Sequence, residues 1–167
     1  GAIYAFIHAQ RHRAVPALSV RAIREARQQK KAGFIFGVQH ANLLEAMVPK
    51  SVLGLYTTME SGLQNYYELG LRIHGICYNV NNIFGGGCLD PAVPLTRAGR
   101  WLVEAIHKRR MLLDVGGHTG EQTSLDALAM SSGVPVVCTH TNVAALNPNP
   151  RATTDRVFEA IARTGGV

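Results

Sequence analysis

Short apolar runs alternate with amphipathic stretches along the chain. The runs are GFIFGVQ (33–39), LRIHGICYN (71–79), MLLDV (111–115) and VPVVCTH (134–140). They are near-continuous rather than alternating, the pattern of parallel strands covered on both faces. Between them, LSVRAIREARQQKK (18–31) starts at Ser19 as an N-cap and carries Val20, Ile23 and Ala26 on one face. The segment SVLGLYTTMESGLQNYYELG (51–70) stops at Gly70, and LTRAGRWLVEAIHKRR (95–110) starts near Thr96. The latter has Trp101, Leu102, Ala105 and Ile106 as its apolar side and basic residues in its last turn, where the helix dipole favours them. GEQTSLDALAMSSG (120–133) and TTDRVFEAIARTGG (153–166) follow the same plan.

Strand, helix, strand, helix with short connections predicts βα units and parallel pairing. Four strands are visible, and the closing TGGV reads as the lead-in to a fifth. The spacing suits either a (β/α) barrel or an open doubly wound sheet. A closed eight-stranded barrel takes about 250 residues, so 167 residues would make only part of one. The chain is expected to be a single partial domain over 1–167, with a poorly defined stretch over 1–16.

Composition adds exclusions. The formal charge is +6, and much of it lies early, at Arg11, Arg13, Arg21, Arg24, Arg27, Lys30 and Lys31. No aromatic residues interleave with these charges, so the stretch reads as a solvated helix face and no nucleic-acid partner is expected. No apolar run reaches the roughly 18–20 residues of a membrane span, and GAIYAFIHAQRHR lacks the features of a signal peptide. Three cysteines (Cys77, Cys88, Cys138) without CxxC spacing argue against a disulfide framework or a structural zinc site and fit a reducing, cytoplasmic setting.

In parallel α/β folds the functional groups gather at the C-terminal ends of the strands. Those ends are Gln39-His40, Tyr78-Asn79, the stretch DVGGH from Asp114 to His118, and His140 with Asn142. Every visible strand therefore ends in ligand-capable residues. Neutral imidazole is the commonest transition-metal ligand, which makes His118 and His140 the candidate pair. Two glycines before His118 would let the backbone turn and aim its ring. Two ligands are fewer than the three protein groups of a catalytic zinc. His40 could line the same site; His74 lies inside a strand and His107 on a basic helix end. FGGGC (84–88) offers consecutive backbone N–H groups to an anion. It lacks the Lys-Ser/Thr of a P-loop, and the competing reading is a flexible loop over the site.

YYELGLRIHGICYNVNN, PLTRAGRWLVEAIHKRRMLLDVGGHTGEQTSLDAL, PVVCTHTNVAALNPNPR and IARTGGV together resemble the renal (membrane) dipeptidase family of metallopeptidases, from about Gly33 to the C-terminus. The resemblance implies a partial (β/α)8 TIM-type barrel with about four to five parallel strands present and helices outside. It implies a dinuclear zinc site, a zinc-bound hydroxide and a dipeptide substrate. His118 and His140 fall on metal-ligand positions, and Arg151 on the arginine that holds the substrate carboxylate. Asn142, in the turn after the second ligand, is expected to shape that loop. Gln39 stands where the family has a bridging carboxylate, and Tyr78 where it commonly has a substrate-contacting histidine; both mark a bacterial-type member. A neutral amide supplies one oxygen but no charge. DVGGH is one residue longer than the usual D-x-S-H, and IHAQRH (7–12) does not match the first-strand HxD pair.

The resemblance thus implies a metal-dependent dipeptidase, with this fragment inactive alone. The alternative is a non-catalytic small-peptide-binding relative that has lost the bridging carboxylate. Unpaired sheet edges would need a cover, and a homodimer is one candidate.

Overall fold

The computed structural model describes residues 1–47 and 54–167. The first element is helix α1 (Ala2–Ala9), followed by strand β1 (Ala14–Pro16), where the hydrophobic pattern assigns no element. Next come α2 (Val20–Gln28), β2 (Ala32–Phe34), β3 (Phe36–Val38) and the short α3 (Asn42–Glu45). The middle of the chain forms α4 (Leu55–Glu68), β4 (Leu71–Gly75), α5 (Arg97–Lys108) and β5 (Leu112–Asp114). It ends with α6 (Glu121–Ala129), β6 (Val136–Val137), the short pair β7 (Asn142–Val143) and β8 (Ala152–Thr153), and α7 (Asp155–Thr164). The start of the expected helix over 51–70 falls partly outside the described residues.

Strands β3, β4, β5 and β6 pair in parallel and in chain order. The apolar run 33–39 is broken at Ile35. Its first half pairs with β1 and its second half with β4, so the wall begins one strand earlier than the pattern predicts. At the other end Cys138 N–H donates to the Val167 carbonyl (2.9 Å) and Val167 N–H to that of Val136 (3.3 Å). The closing TGGV thus runs alongside β6 as a further strand would. Sequential parallel strands with helices outside are the wall of a partial (β/α)8-type barrel.

Two helix starts match their expected caps. The Ser19 hydroxyl accepts from Ala22 N–H (3.1 Å) and that of Thr96 from Gly99 N–H (3.0 Å). The core lies between the sheet and α4 to α7, where Leu63, Leu102, Ile106, Leu113, Val136 and Ile161 are buried together. The opposite face of the sheet is only partly covered: Leu71 and Asp114 are buried there and Ile73 is half-buried. Leu112, in register with Ile73, is 36% exposed, whereas Leu113 one residue on is fully buried. The expectation of strands covered on both faces therefore fails at Leu112, though not along the whole face. Helix α2 departs likewise: Ala26 is buried, but Val20 is 63% exposed and Ile23 41%.

His74 of β4 is fully buried, in register with Leu113. Its Nδ1 lies 2.7 Å from the Gly75 carbonyl, and its Nε2 has no partner among the described residues. Burial pushes this imidazole from about 6.5 down to about 4. Because the folded value is the lower one, the unfolded state takes up the extra proton. Stability should be full above about pH 6.5 and decline as pH falls toward about 4, by about 3 kcal/mol from this residue. Urea unfolding at stepped pH checks this, and His74→Leu should remove that share of the slope.

Candidate metal centre

Four aromatic rings from four successive strand ends stand in file. His40, after β3, meets Tyr78, after β4, edge to face with centroids 5.6 Å apart. Tyr78 stacks on His118, after β5, at 3.9 Å and 20°. His118 lies 4.9 Å from His140, which follows β6, with the planes tilted by 55°. The two candidate metal-binding imidazoles are thus neighbours.

Each of these histidines has one ring nitrogen engaged. His118 Nδ1 is 2.7 Å from Asn79 Oδ1, and His140 Nδ1 is 2.8 Å from Thr139 Oγ1. Thr139 Oγ1 in turn donates to Asp114 Oδ2 (2.5 Å). The other Asp114 oxygen accepts the N–H groups of Gly116 (2.8 Å) and Thr139 (3.2 Å). His140 Nε2 is buried with no hydrogen-bond partner among the described residues. His118 is buried as well, and that burial, followed by the charges of Arg151 and His140, pushes it down to about 4, with Asp114 pulling the other way. At neutral pH it is therefore an uncharged imidazole, the form a metal binds.

Backbone geometry places the rings. Gly117 takes a left-handed φ of +46°, which turns the chain between Asp114 and His118. Asn79 is also left-handed (φ +63°), a conformation Asn tolerates better than most residues, and its side chain reaches His118. Sequence reasoning counts Asn79 and Asp114 only among the polar strand ends and gives Thr139 no role. Their signal in the chain is only adjacency: Asn79 and Thr139 each stand beside a site residue, and Asp114 closes the strand before His118.

Gln39 is exposed at the end of β3 and packs over the end of β4. A Cβ at Gly75 would fall 2.1 Å from the Gln39 carbonyl oxygen, so only glycine admits that approach. Among the described residues the Gln39 carboxamide makes no recorded hydrogen bond to either histidine, and no third His, Cys, Asp or Glu joins the pair. Arg151, exposed between β7 and β8, approaches the His118 turn: its Nη2 would lie 3.3 Å from a Cβ on Gly117. It also lines a cavity of about 230 Å³ with Cys88, Val115, Gly117 and Ser124. Asn142 lies in β7, and its backbone carbonyl accepts from the Thr141 hydroxyl (3.1 Å).

The glycine-rich stretch is neither a flexible loop nor an anion cradle. Phe84 to Cys88 are buried. The N–H groups of Phe84 and Gly85 donate to Asn82 Oδ1, that of Gly86 to Thr123 Oγ1, that of Gly87 to Asn81 Oδ1 and that of Cys88 to the His118 carbonyl. No N–H of the run is left for a phosphate. Asn82 Nδ2 also donates to the carbonyl of Ile76 and to Asn42 Oδ1.

A statistical model described as membrane dipeptidase (peptidase family M19) matches residues 2–167. The chain belongs to this family. It is 37% identical over 112 residues to a Klebsiella pneumoniae protein from the pqqA 5' region, over 63% of this chain and 41% of that one. The fold resembles that of an amidohydrolase from Pseudomonas aeruginosa, with a TM-score of 0.84 at 27% identity over 99% of this chain and 46% of the other. A metallo peptidase of family M19, dipeptidase AC, gives 0.81 at 26% identity over 98% and 45%. The chain thus spans less than half the length of these membrane dipeptidase relatives. No helix among the described residues is long and apolar enough to cross a membrane.

The pinned loop yields a prediction. Replacing Asn82 by Ala strands several buried donors and acceptors at once and should cost about 3 kcal/mol or more. Urea unfolding measures it, and a cost near zero would mean the loop is not held this way.

Proposed function

We propose that this chain supplies metal- and substrate-binding groups to a zinc-dependent dipeptidase that hydrolyses the peptide bond of dipeptides. One observation carries the reading: His118 and His140, from adjacent strands, sit 4.9 Å apart with both Nδ1 atoms engaged, and the buried Nε2 of His140 has no partner among the described residues. A buried ring nitrogen without a partner costs free energy that a bound cation would offset. The donor set therefore fits a borderline-soft metal such as zinc. His118 and His140 would hold it, with the Gln39 carboxamide oxygen as a neutral third donor. When bound, zinc supplies Lewis acidity and an acidified water.

The chain's own residues account for the substrate. Arg151 offers a guanidinium fork to the free carboxylate of a dipeptide. The phenol of Tyr78, held against His118, offers a hydrogen-bond donor to the substrate. Two imidazoles and one neutral amide fall short of the dinuclear ligand set that the resemblance implies, so the 167-residue chain is expected to show little or no dipeptide turnover, with or without added zinc. In an active enzyme that contains these residues, Arg151→Lys should raise KM by about ten- to a hundredfold with kcat little changed. Steady-state kinetics on a dipeptide panel tests this. Unchanged KM would remove Arg151 from the substrate, and rapid turnover by the isolated chain would refute the incomplete site.

Gln39 favours a second reading, a relative that binds small peptides without cleaving them. Gln39→Glu, made in a full-length protein that contains these residues, separates the two. Zinc-dependent hydrolysis that appears only in the variant supports the binder; hydrolysis already present with Gln39 supports the enzyme.

A further inference from the structure

We infer that Asp114, acting through the Thr139 hydroxyl, is a positioning residue that decides which nitrogen of His140 carries the proton. The inference deepens the proposed metal-site reading, but it is argued from proton counting along a hydrogen-bond chain. A threonine hydroxyl has a single proton, and a carboxylate only accepts. Thr139 Oγ1 lies 2.5 Å from Asp114 Oδ2, so its proton is spent there. At its contact with His140 Nδ1, 2.8 Å away, Oγ1 can then only accept, which places the ring proton on Nδ1. Nε2 keeps its lone pair, and Nε2 is the atom left buried without a partner among the described residues.

The same carboxylate spans both candidate ligands. Its Oδ1 accepts Gly116 N–H, within the turn that delivers His118, and Thr139 N–H at the start of the turn that delivers His140. His118 is set in parallel. The Asn79 carbonyl oxygen 2.7 Å from its Nδ1 can only accept, and it also takes the Cys88 thiol (3.4 Å). Both rings thereby present Nε2 as the donor atom. A purely structural role for Asp114, tying β5 to β6, would leave the proton location on His140 unaffected.

The test reads tautomers directly. In metal-free protein labelled with ¹⁵N-histidine, two-bond ¹H–¹⁵N correlations at neutral pH should show His140 protonated on Nδ1. In Asp114→Asn the carboxamide NH₂ can donate to Thr139, which frees the hydroxyl proton for His140 Nδ1; the ring proton should then move to Nε2. Thr139→Val removes the bias and should give mixed tautomers, and Thr139→Ser should restore the original pattern. Zinc titration should show affinity about 10- to 100-fold weaker for D114N and T139V and unchanged for T139S. Nε2 protonation in the unaltered protein overturns the inference, as does a tautomer that none of the variants moves. If D114N does not fold, the T139V and T139S pair decides. Tautomers that shift as described in a protein that binds no zinc would sustain the inference and sink the metal reading instead.

Discussion

Parallel pairing in chain order is the constraint from which the rest follows. Because β3 to β6 run the same way, each helix must return the chain to the same starting edge, and every strand discharges its last residues at the opposite edge. The residues after β3, β4, β5 and β6 are therefore brought together although up to about a hundred positions separate them in the chain. The register sets His74 beside Leu113 and Gly75 beside Asp114, so that the side chains after those positions meet as a file of rings. Burial of the helix-facing side of the sheet stabilises this arrangement, since burying one large apolar side chain contributes about 1.5–3 kcal/mol.

Polar groups then lock the edge. Asn82 and Thr123 satisfy the backbone of the glycine run, and the Cys88 amide donates to the His118 carbonyl. The loop after β4 and the turn after β5 thus hold one another. Asp114 does the same between β5 and β6. A site with this support needs little rearrangement to receive a ligand, because the costs of ordering its backbone have been met in folding. The electrostatics agree: burial, followed by the charge of Arg151, keeps His118 neutral.

Much of the architecture was legible in the chain. Four apolar runs, the Ser19 and Thr96 caps and the stop at Gly70 are local features, encoded by residues within a turn or two of one another. The run 33–39 was legible as a strand but not as two half-strands with different partners, because pairing is a long-range choice. The segment Ala14–Pro16 was missed since three residues next to a proline carry no periodicity. Covered and uncovered faces could not be told apart for the same reason: Leu112 and Leu113 are identical in the sequence and opposite in burial.

The chain by itself determined the alternation of strands and helices, the polar character of each strand end and the pairing of His118 with His140 as candidates, because spacing and residue type are local properties; Arg151, and the roles of Tyr78 and Gln39, came from the resemblance to the dipeptidase family. The tertiary structure alone decided that the imidazoles stand 4.9 Å apart, that Asn79 and Thr139 hold their Nδ1 atoms, and that the three glycines are spent on internal hydrogen bonds. Hydrogen bonds of that kind depend on a few tenths of an ångström between residues far apart in the chain, and only the packed sheet sets distances of that order.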